Sequence, residues 1–335
     1  MAKTAVVILN FNGAQYLEQF LPSVTQYSTD AEVIIADNAS TDNSIAFLKS
    51  NYPDLRIIQF QENLGFTGGY NKALEQLHFE YCVLLNSDIE VTPNWLEPIV
   101  TFMDAHPEVA ACQPKILDFN NKKNFEYAGA CGGFLDYMGF PYCRGRIFDT
   151  LEEDQGRYDN IIPVDWATGA CMFVRTVDFK KAGGFDIDFF AHMEEIDLCW
   201  RMRMMGKALY CIPESKVYHV GGGTLNKLNP RKTYLNFRNN LSLLFKNEST
   251  MNLVWKFPIK WGLDIAAALK FGLGQSWSHS WAVIRAHIDF LMFLPKNLKK
   301  RKQVQASRKT TVRNSPFLLP FQYFIKGRTT YKDLH

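Results

Sequence analysis

Short apolar runs at residues 4–9, 32–36, 55–60 and 81–85 recur along the first part of the chain, each separated from the next by a segment with helical spacing. Runs that are apolar on both faces belong to a parallel sheet covered by helices, and such sheets bind ligands beyond the carboxyl ends of their strands. The residues that follow each run therefore carry most of the information. They are Asn10-Phe11-Asn12-Gly13, then Asp37-Asn38-Ala39-Ser40-Thr41-Asp42, then Asn86-Ser87-Asp88. Ser40, with Asp42 and Asn43 behind it, reads as a helix start, whereas no local role accounts for Asp37.

Between residues 114 and 165 the pattern loosens into Gly, Asn, Lys and acidic clusters, the mark of a long irregular region over one sheet edge. Beyond residue 226 the composition shifts again. Trp255-Lys256-Phe257-Pro258-Ile259-Lys260-Trp261 interleaves aromatic and basic side chains, and Trp281, Ile284, Ile288 and Leu291 recur at helical spacing. Lys296, Lys299, Lys300, Arg301, Lys302, Arg308, Lys309 and Arg313 follow. A helix lying in a lipid headgroup layer, held by this basic cluster, fits the pattern. The alternative is an aromatic stripe packed on the α/β domain with a solvated basic end. Asp264, Lys270, Arg285 and Asp289 break the best apolar stretches, so no membrane span is expected. The formal charge of +3 argues against a dedicated nucleic-acid binder. Seven cysteines without a CxxC pair read as reduced, buried thiols, and the first apolar run is too short for a signal peptide, which together suit a cytoplasmic protein.

The strings Val7-Ile8-Leu9-Asn10-Phe11-Asn12-Gly13, Ala36-Asp37-Asn38-Ala39-Ser40-Thr41-Asp42, Asn63-Leu64-Gly65-Phe66-Thr67-Gly68-Gly69-Tyr70-Asn71 and Leu85-Asn86-Ser87-Asp88, in this order and spacing, resemble the family 2 glycosyltransferases. The likeness is strongest to bacterial rhamnosyltransferase-like members. It implies an α/β GT-A fold, a Rossmann-like sandwich over residues 1–225, with a nucleotide-binding half to about residue 113 and an acceptor half over 114–225. Residues 226–335 would then be a helical, membrane-associating appendage. By position, the resemblance assigns the nucleoside-diphosphate sugar to Asn10, Asn12, Asp37, Asn63, Gly65, Phe66, Gly68, Asn71, Asn86 and Ser87. Glycines 65, 68 and 69 would let backbone approach the donor, or else serve only a tight turn ahead of a helix over residues 71–77.

Asn86-Ser87-Asp88 occupies the place of the family's Asp-x-Asp motif, with Asn as its first member. Asp88 would hold Mg²⁺ or Mn²⁺, hard cations that neutralise a departing diphosphate, and His219 resembles the histidine that completes that site. Residues 189–201 resemble the family's Glu-Asp-x-Asp-Leu-x-x-Arg segment, so the base that deprotonates the acceptor hydroxyl is Glu195 or its neighbour Glu194. Asp197 and Arg201, four apart, read as a helix-surface or structural pair. Trp166 is either a wall of the sugar cleft or core. His192 reads as structural.

The resemblance thus implies an inverting, metal-dependent glycosyltransferase of cell-surface polysaccharide synthesis, peripheral on the inner face of the plasma membrane. Its donor would be dTDP-rhamnose or a UDP-sugar and its acceptor a saccharide or lipid-linked saccharide. A nicotinamide or flavin oxidoreductase is disfavoured because no GxGxxG follows the first run. A non-catalytic sugar-nucleotide or carbohydrate-binding member of the same fold is the alternative, raised by Asn86 and Glu195.

Overall fold

In the computed structural model, which describes residues 2–221, 229–274 and 276–335, the apolar runs are strands β1 (Thr4–Asn10), β2 (Ala31–Asp37), β3 (Arg56–Gln59) and β4 (Tyr81–Asn86). Helices α1 (Ala14–Tyr27), α2 (Ser44–Asn51) and α3 (Gly65–Glu75) connect them. β3, β2, β1 and β4 pair in parallel, with Asn10 beside Asp37 at the carboxyl ends. Successive residues face opposite layers: Val6 and Ile8 pack with Leu17 and Leu21 of α1, while Ala5 and Val7 pack with Tyr70 and Leu74 of α3. Each such buried Val, Ile or Leu contributes on the order of 1.5–3 kcal/mol.

The rest of the sheet is mixed. After β5 (Ile89–Val91) and α4 (Glu97–Ala105) come β6 (Val109–Asp118) and a small antiparallel sheet of β7 (Gly133–Leu135), β8 (Pro141–Cys143), β9 (Arg146–Ile147) and β10 (Thr150–Leu151). β11 (Ile162–Pro163), β12 (Cys171–Arg175), α5 (Thr176–Lys181), α6 (Glu194–Met204) and β13 (Ala208–His219) complete the domain. β12 runs antiparallel between β4 and β6, and β6 pairs in parallel with β13. The stretch read as irregular from residue 114 thus begins in a central strand. Its polar residues are satisfied at long range: the Lys115 ammonium lies 2.8 Å from Asp154, and the Gln113 amide donates to Gly129 O and accepts from Thr168 N. All seven cysteines are buried and free.

The boundary expected at residue 225 lies outside the described residues. Beyond it stand α7 (Pro230–Asn247), α8 (Thr250–Gly274), α9 (Trp277–Met292), α10 (Leu294–Ala306) and α11 (Tyr331–Leu334). They are no loose appendage. Asn247 of α7 donates to buried Asp197 of α6 at 2.8 Å, and Leu319 and Leu334 pack on Tyr142 and Ile147 of the small sheet. The basic cluster is partly consumed in this docking. Lys296 and Lys300 pair with Asp188, and Arg301 donates to Glu248 O at 2.7 Å and to Thr250 Oγ1 at 2.9 Å.

Candidate active site

The carboxyl ends of β1 and β2 are stitched together. Asn10 Nδ2 donates to Asp37 Oδ1 at 3.1 Å and to Ser40 Oγ at 3.0 Å, and Asp37 Oδ2 accepts from Ser40 N. Asn12 N donates to Ser40 Oγ, and Asn12 Oδ1 accepts from Thr41 N at 2.7 Å. Ser40 is therefore a loop tie, and α2 starts later, at Ser44. Asp37, buried at the sheet edge, already holds its own loop while keeping acceptor capacity for a ligand.

The glycine-rich segment differs from the expected turn. Its helix, α3, starts at Gly65, so the glycines lie inside the first turns. A Cβ on Gly69 would come 2.6 Å from Leu9 Cδ1, one on Gly68 would come 2.9 Å from Leu64 Cβ, and one on Gly65 would come 2.9 Å from the Phe190 ring. Their small size serves close packing within the protein. Asn63 Oδ1 accepts from Asn38 Nδ2 and Gly65 N, and Asn71 spends both ends of its amide on the Phe185 backbone at 2.8 Å. Asn71 is thus a strut, whereas Asn63 ties the loop through Oδ1 from an exposed position. Trp166 likewise belongs to the core: it is buried against Gly133, and its indole N–H donates to Phe134 O. Phe66 does reach the centre, beside Gly169, whose absent Cβ leaves room between Phe66 and Glu195.

At the end of β4, Asp88 meets the end of β13. Asp88 Oδ1 is 3.1 Å from His219 Nε2, and Asn86 Nδ2 is 3.4 Å from the same nitrogen, with Ser87 alongside. Glu126 Oε2, which the sequence reading passed over, lies 3.2 Å from His219 Nδ1. Burial alone would pull the His219 imidazolium down, but the Glu126 and Asp88 carboxylates outweigh it and lift it to about 10. Burial would raise the Asp88 carboxyl, and the charge of His219 instead brings it below its usual value. The imidazolium faces Asp88 with Nε2 and Glu126 with Nδ1, so His219 would offer a metal its Nε2 only after giving up that proton, whereas Asp88 supplies a hard oxygen of the kind that suits Mg²⁺ or Mn²⁺. Among the described residues, no three His, Cys, Asp or Glu side chains form a closed cage.

The chain enters α6 through a strained turn. Phe190, His192 and Met193 all have φ between 63° and 69°, in the left-handed region. Burial lowers the His192 imidazole to about 4. Glu194 and Glu195 open the helix, and Oε2 of each is buried without a hydrogen-bond partner. Burial lifts the Glu195 carboxyl to about 7, while burial and the charge of Glu195 lift Glu194 well above its ordinary range. Asp197 and Arg201 form a buried pair, Nε to Oδ2 2.9 Å, rather than a surface one. The turn itself is pinned from α7 by Arg238 and Asn239, which the sequence reading also missed. Their signal was a polar run, Arg238-Asn239-Asn240, inside an apolar helix pattern.

A family model described as glycosyl transferase family 2 matches residues 5–163. The match spans just under half of the chain. The chain is 24% identical over 284 residues to N-acetylglucosaminyl-diphospho-decaprenol L-rhamnosyltransferase of Mycobacterium tuberculosis, spanning 79% of this chain and 90% of that protein. In fold it is similar to Staphylococcus aureus TarS 1–349 in complex with UDP-GlcNAc, at TM-score 0.56 and 16% identity over 91% of this chain and 88% of that one. It is also similar to the mannosyltransferase PcManGT of Pyrobaculum calidifontis in complex with GDP-Man and Mn²⁺, at TM-score 0.51 and 16% identity over 91% and 85% of the two chains. The fold of the chain is GT-A, with C-terminal helices added.

Proposed function

We propose that the protein is an inverting glycosyltransferase that moves a sugar from a nucleoside-diphosphate donor, dTDP-rhamnose or a UDP-sugar, onto a saccharide or lipid-linked acceptor during cell-surface polysaccharide synthesis at the inner membrane face. The observation that carries the reading is the Glu194–Glu195 pair at the start of α6, each with its Oε2 buried and without a hydrogen-bond partner among the described residues, together with the Asp88–His219 pair. Glu195 is the partly exposed member, and its carboxyl near 7 suits a base at neutral pH. Glu194 is buried more deeply, and burial together with the charge of Glu195 favours its neutral form.

In the transfer, the acceptor oxygen attacks the anomeric carbon as its proton passes to the Glu195 carboxylate. The bond from that carbon to the diphosphate oxygen breaks, and the diphosphate leaves with the electron pair. Direct displacement by a single base inverts the anomeric centre. Asp88 and His219 would hold Mg²⁺ or Mn²⁺, which supplies charge neutralisation to the leaving diphosphate. Asp37, Asn10 and Asn12 form the polar rim for the nucleotide, and Asn86 and Ser87 lie between it and the metal pair. The M. tuberculosis relative, whose name specifies a decaprenol-linked acceptor and a rhamnosyl donor group, supports the lipid-linked acceptor and the membrane location.

The test is nucleoside-diphosphate release from UDP-, dTDP- and GDP-sugars with Mn²⁺, Mg²⁺ or EDTA, comparing wild type with Glu195→Gln. Metal-dependent release from one donor class, lost in Glu195→Gln while nucleotide binding persists, is the expected result. Nucleotide binding that EDTA leaves unchanged, with no release even when membrane lipid extract is supplied, would instead mark a binding protein.

A further inference from the structure

We infer that the outer face of α8 and α9 is seated in a lipid bilayer surface, with its apolar side chains among the acyl chains and its cations among the headgroups. The inference deepens the membrane location of the reading above and does not depend on its chemistry.

The polarity of α8 is inverted. Its buried residues are Lys256, Lys260 and Asp264, whereas Val254, Ile265, Leu269 and Leu273 are 58–90% exposed. The interior charges are matched: Lys260 pairs with Asp264, which lies 3.1 Å from His287 Nε2 of α9, and Lys256 pairs with Glu248. α9 continues the outer surface. Ala282, Val283, Ala286 and Phe290 pack inward, while Trp277, Trp281, Ile284, Ile288 and Leu291 form an outward stripe that is 45–80% exposed. Phe324 and Ile325 extend the patch beside Lys270, whose Nζ is 4.1 Å from the Phe324 ring.

Water favours the opposite arrangement, with charges out and apolar groups in. An apolar medium favours this one, because matched charges are best kept inside and aliphatic side chains meet lipid without loss. An uncovered patch of this extent marks an interaction surface. Charge selects the partner. From residue 250 to 306 the acids are Asp264 and Asp289, one buried and the other accepting from Tyr234 Oη at 2.6 Å. Lys270, Arg285, Lys299 and Lys302 are exposed. A second copy would set these cations against their own kind, whereas an anionic leaflet complements them. Among the described residues no helix is long and apolar enough to cross a membrane, so the face lies along one leaflet.

The experiment is flotation of the full chain with phosphatidylcholine–phosphatidylglycerol vesicles at low and high salt. Wild type floats and remains bound at high salt, since screening weakens the cationic contacts but not apolar insertion. The double variant Leu273→Glu/Trp281→Glu, altered at exposed positions and checked by circular dichroism, loses at least about tenfold in partition. Three outcomes overturn the inference: no flotation of wild type, binding stripped by salt yet kept by the double variant, or a stable dimer that the double variant splits and that ignores vesicles.

Discussion

Asn239 Nδ2 donates to the carbonyl oxygen of His192 at 2.7 Å, joining a helix beyond the matched family segment to the strained turn that presents Glu194 and Glu195. The same amide donates to Ala191 O at 2.9 Å and Phe189 O at 3.0 Å, and Arg238 orients it by donating to its oxygen. Left-handed residues at Phe190, His192 and Met193 persist only where surroundings hold them. Asn239→Ala should therefore release the turn and lower kcat about 100-fold, with donor KM little changed, because ångström-scale misplacement of a reacting group costs that much. Nucleoside-diphosphate release by variant that circular dichroism shows to be folded checks this; an unchanged kcat would reduce Asn239 to scaffold.

On the proposed reading Asp88, in the turn after β4, and His219, at the end of β13, hold the metal, so each should be felt in metal affinity before it is felt in folding. Asp88→Asn should raise the Mn²⁺ concentration for half-maximal release at least about tenfold, and Glu126→Gln, which alters the support behind His219, should raise it less. Titrating Mn²⁺ into each variant, with binding followed by calorimetry, gives both numbers. Equal Mn²⁺ affinity in wild type and Asp88→Asn would remove Asp88 from the metal site.

What could be read from the sequence divides by the range of the interactions involved. β1, β2 and β4 are apolar on both faces, so local composition names them, and with them the positions of Asn10, Asp37 and Asp88 at or just past strand ends, where such sheets bind ligands. β6 was illegible because Gln113, Pro114 and Lys115 resemble loop residues until Gly129, Thr168 and Asp154 are brought beside them. Asn71 matched a motif and spends both ends of its amide on the Phe185 backbone, since a motif fixes residue types and not the direction of an amide. The inverted helix α8 kept a helical period while giving no sign of which face turned inward.

The glycines of α3 yield a prediction that separates packing from donor contact. Gly69→Ala drives a methyl to 2.6 Å from Leu9 Cδ1 and 3.3 Å from Asn38 Nδ2, and overpacking of this kind costs about 1–3 kcal/mol. Gly262→Ala, in exposed helix with nothing within 4 Å of the new methyl, should instead gain up to about 1 kcal/mol. Thermal unfolding of both variants tests the contrast. A Gly69→Ala protein as stable as wild type would mean that α3 and β1 have room to spare.

The Glu195 carboxyl ties turnover and stability to pH in opposite directions. Lifted by burial from an ordinary 4.5 to about 7, it can act as the proposed base only once deprotonated, so kcat should climb through a midpoint near 7 as pH rises. The folded protein holds this proton more tightly than the unfolded chain does. Between about pH 4.5 and 7 the folded state therefore binds more protons, and stability from this group, fully present below 4.5, is lost as pH rises through 7. Glu195→Gln should abolish turnover at every pH and flatten that part of the stability curve, leaving the variant relatively more stable than wild type at pH 8. Paired kcat–pH and urea-unfolding series decide it: a variant that loses turnover but keeps the wild-type slope of stability would move the titrating proton to Glu194.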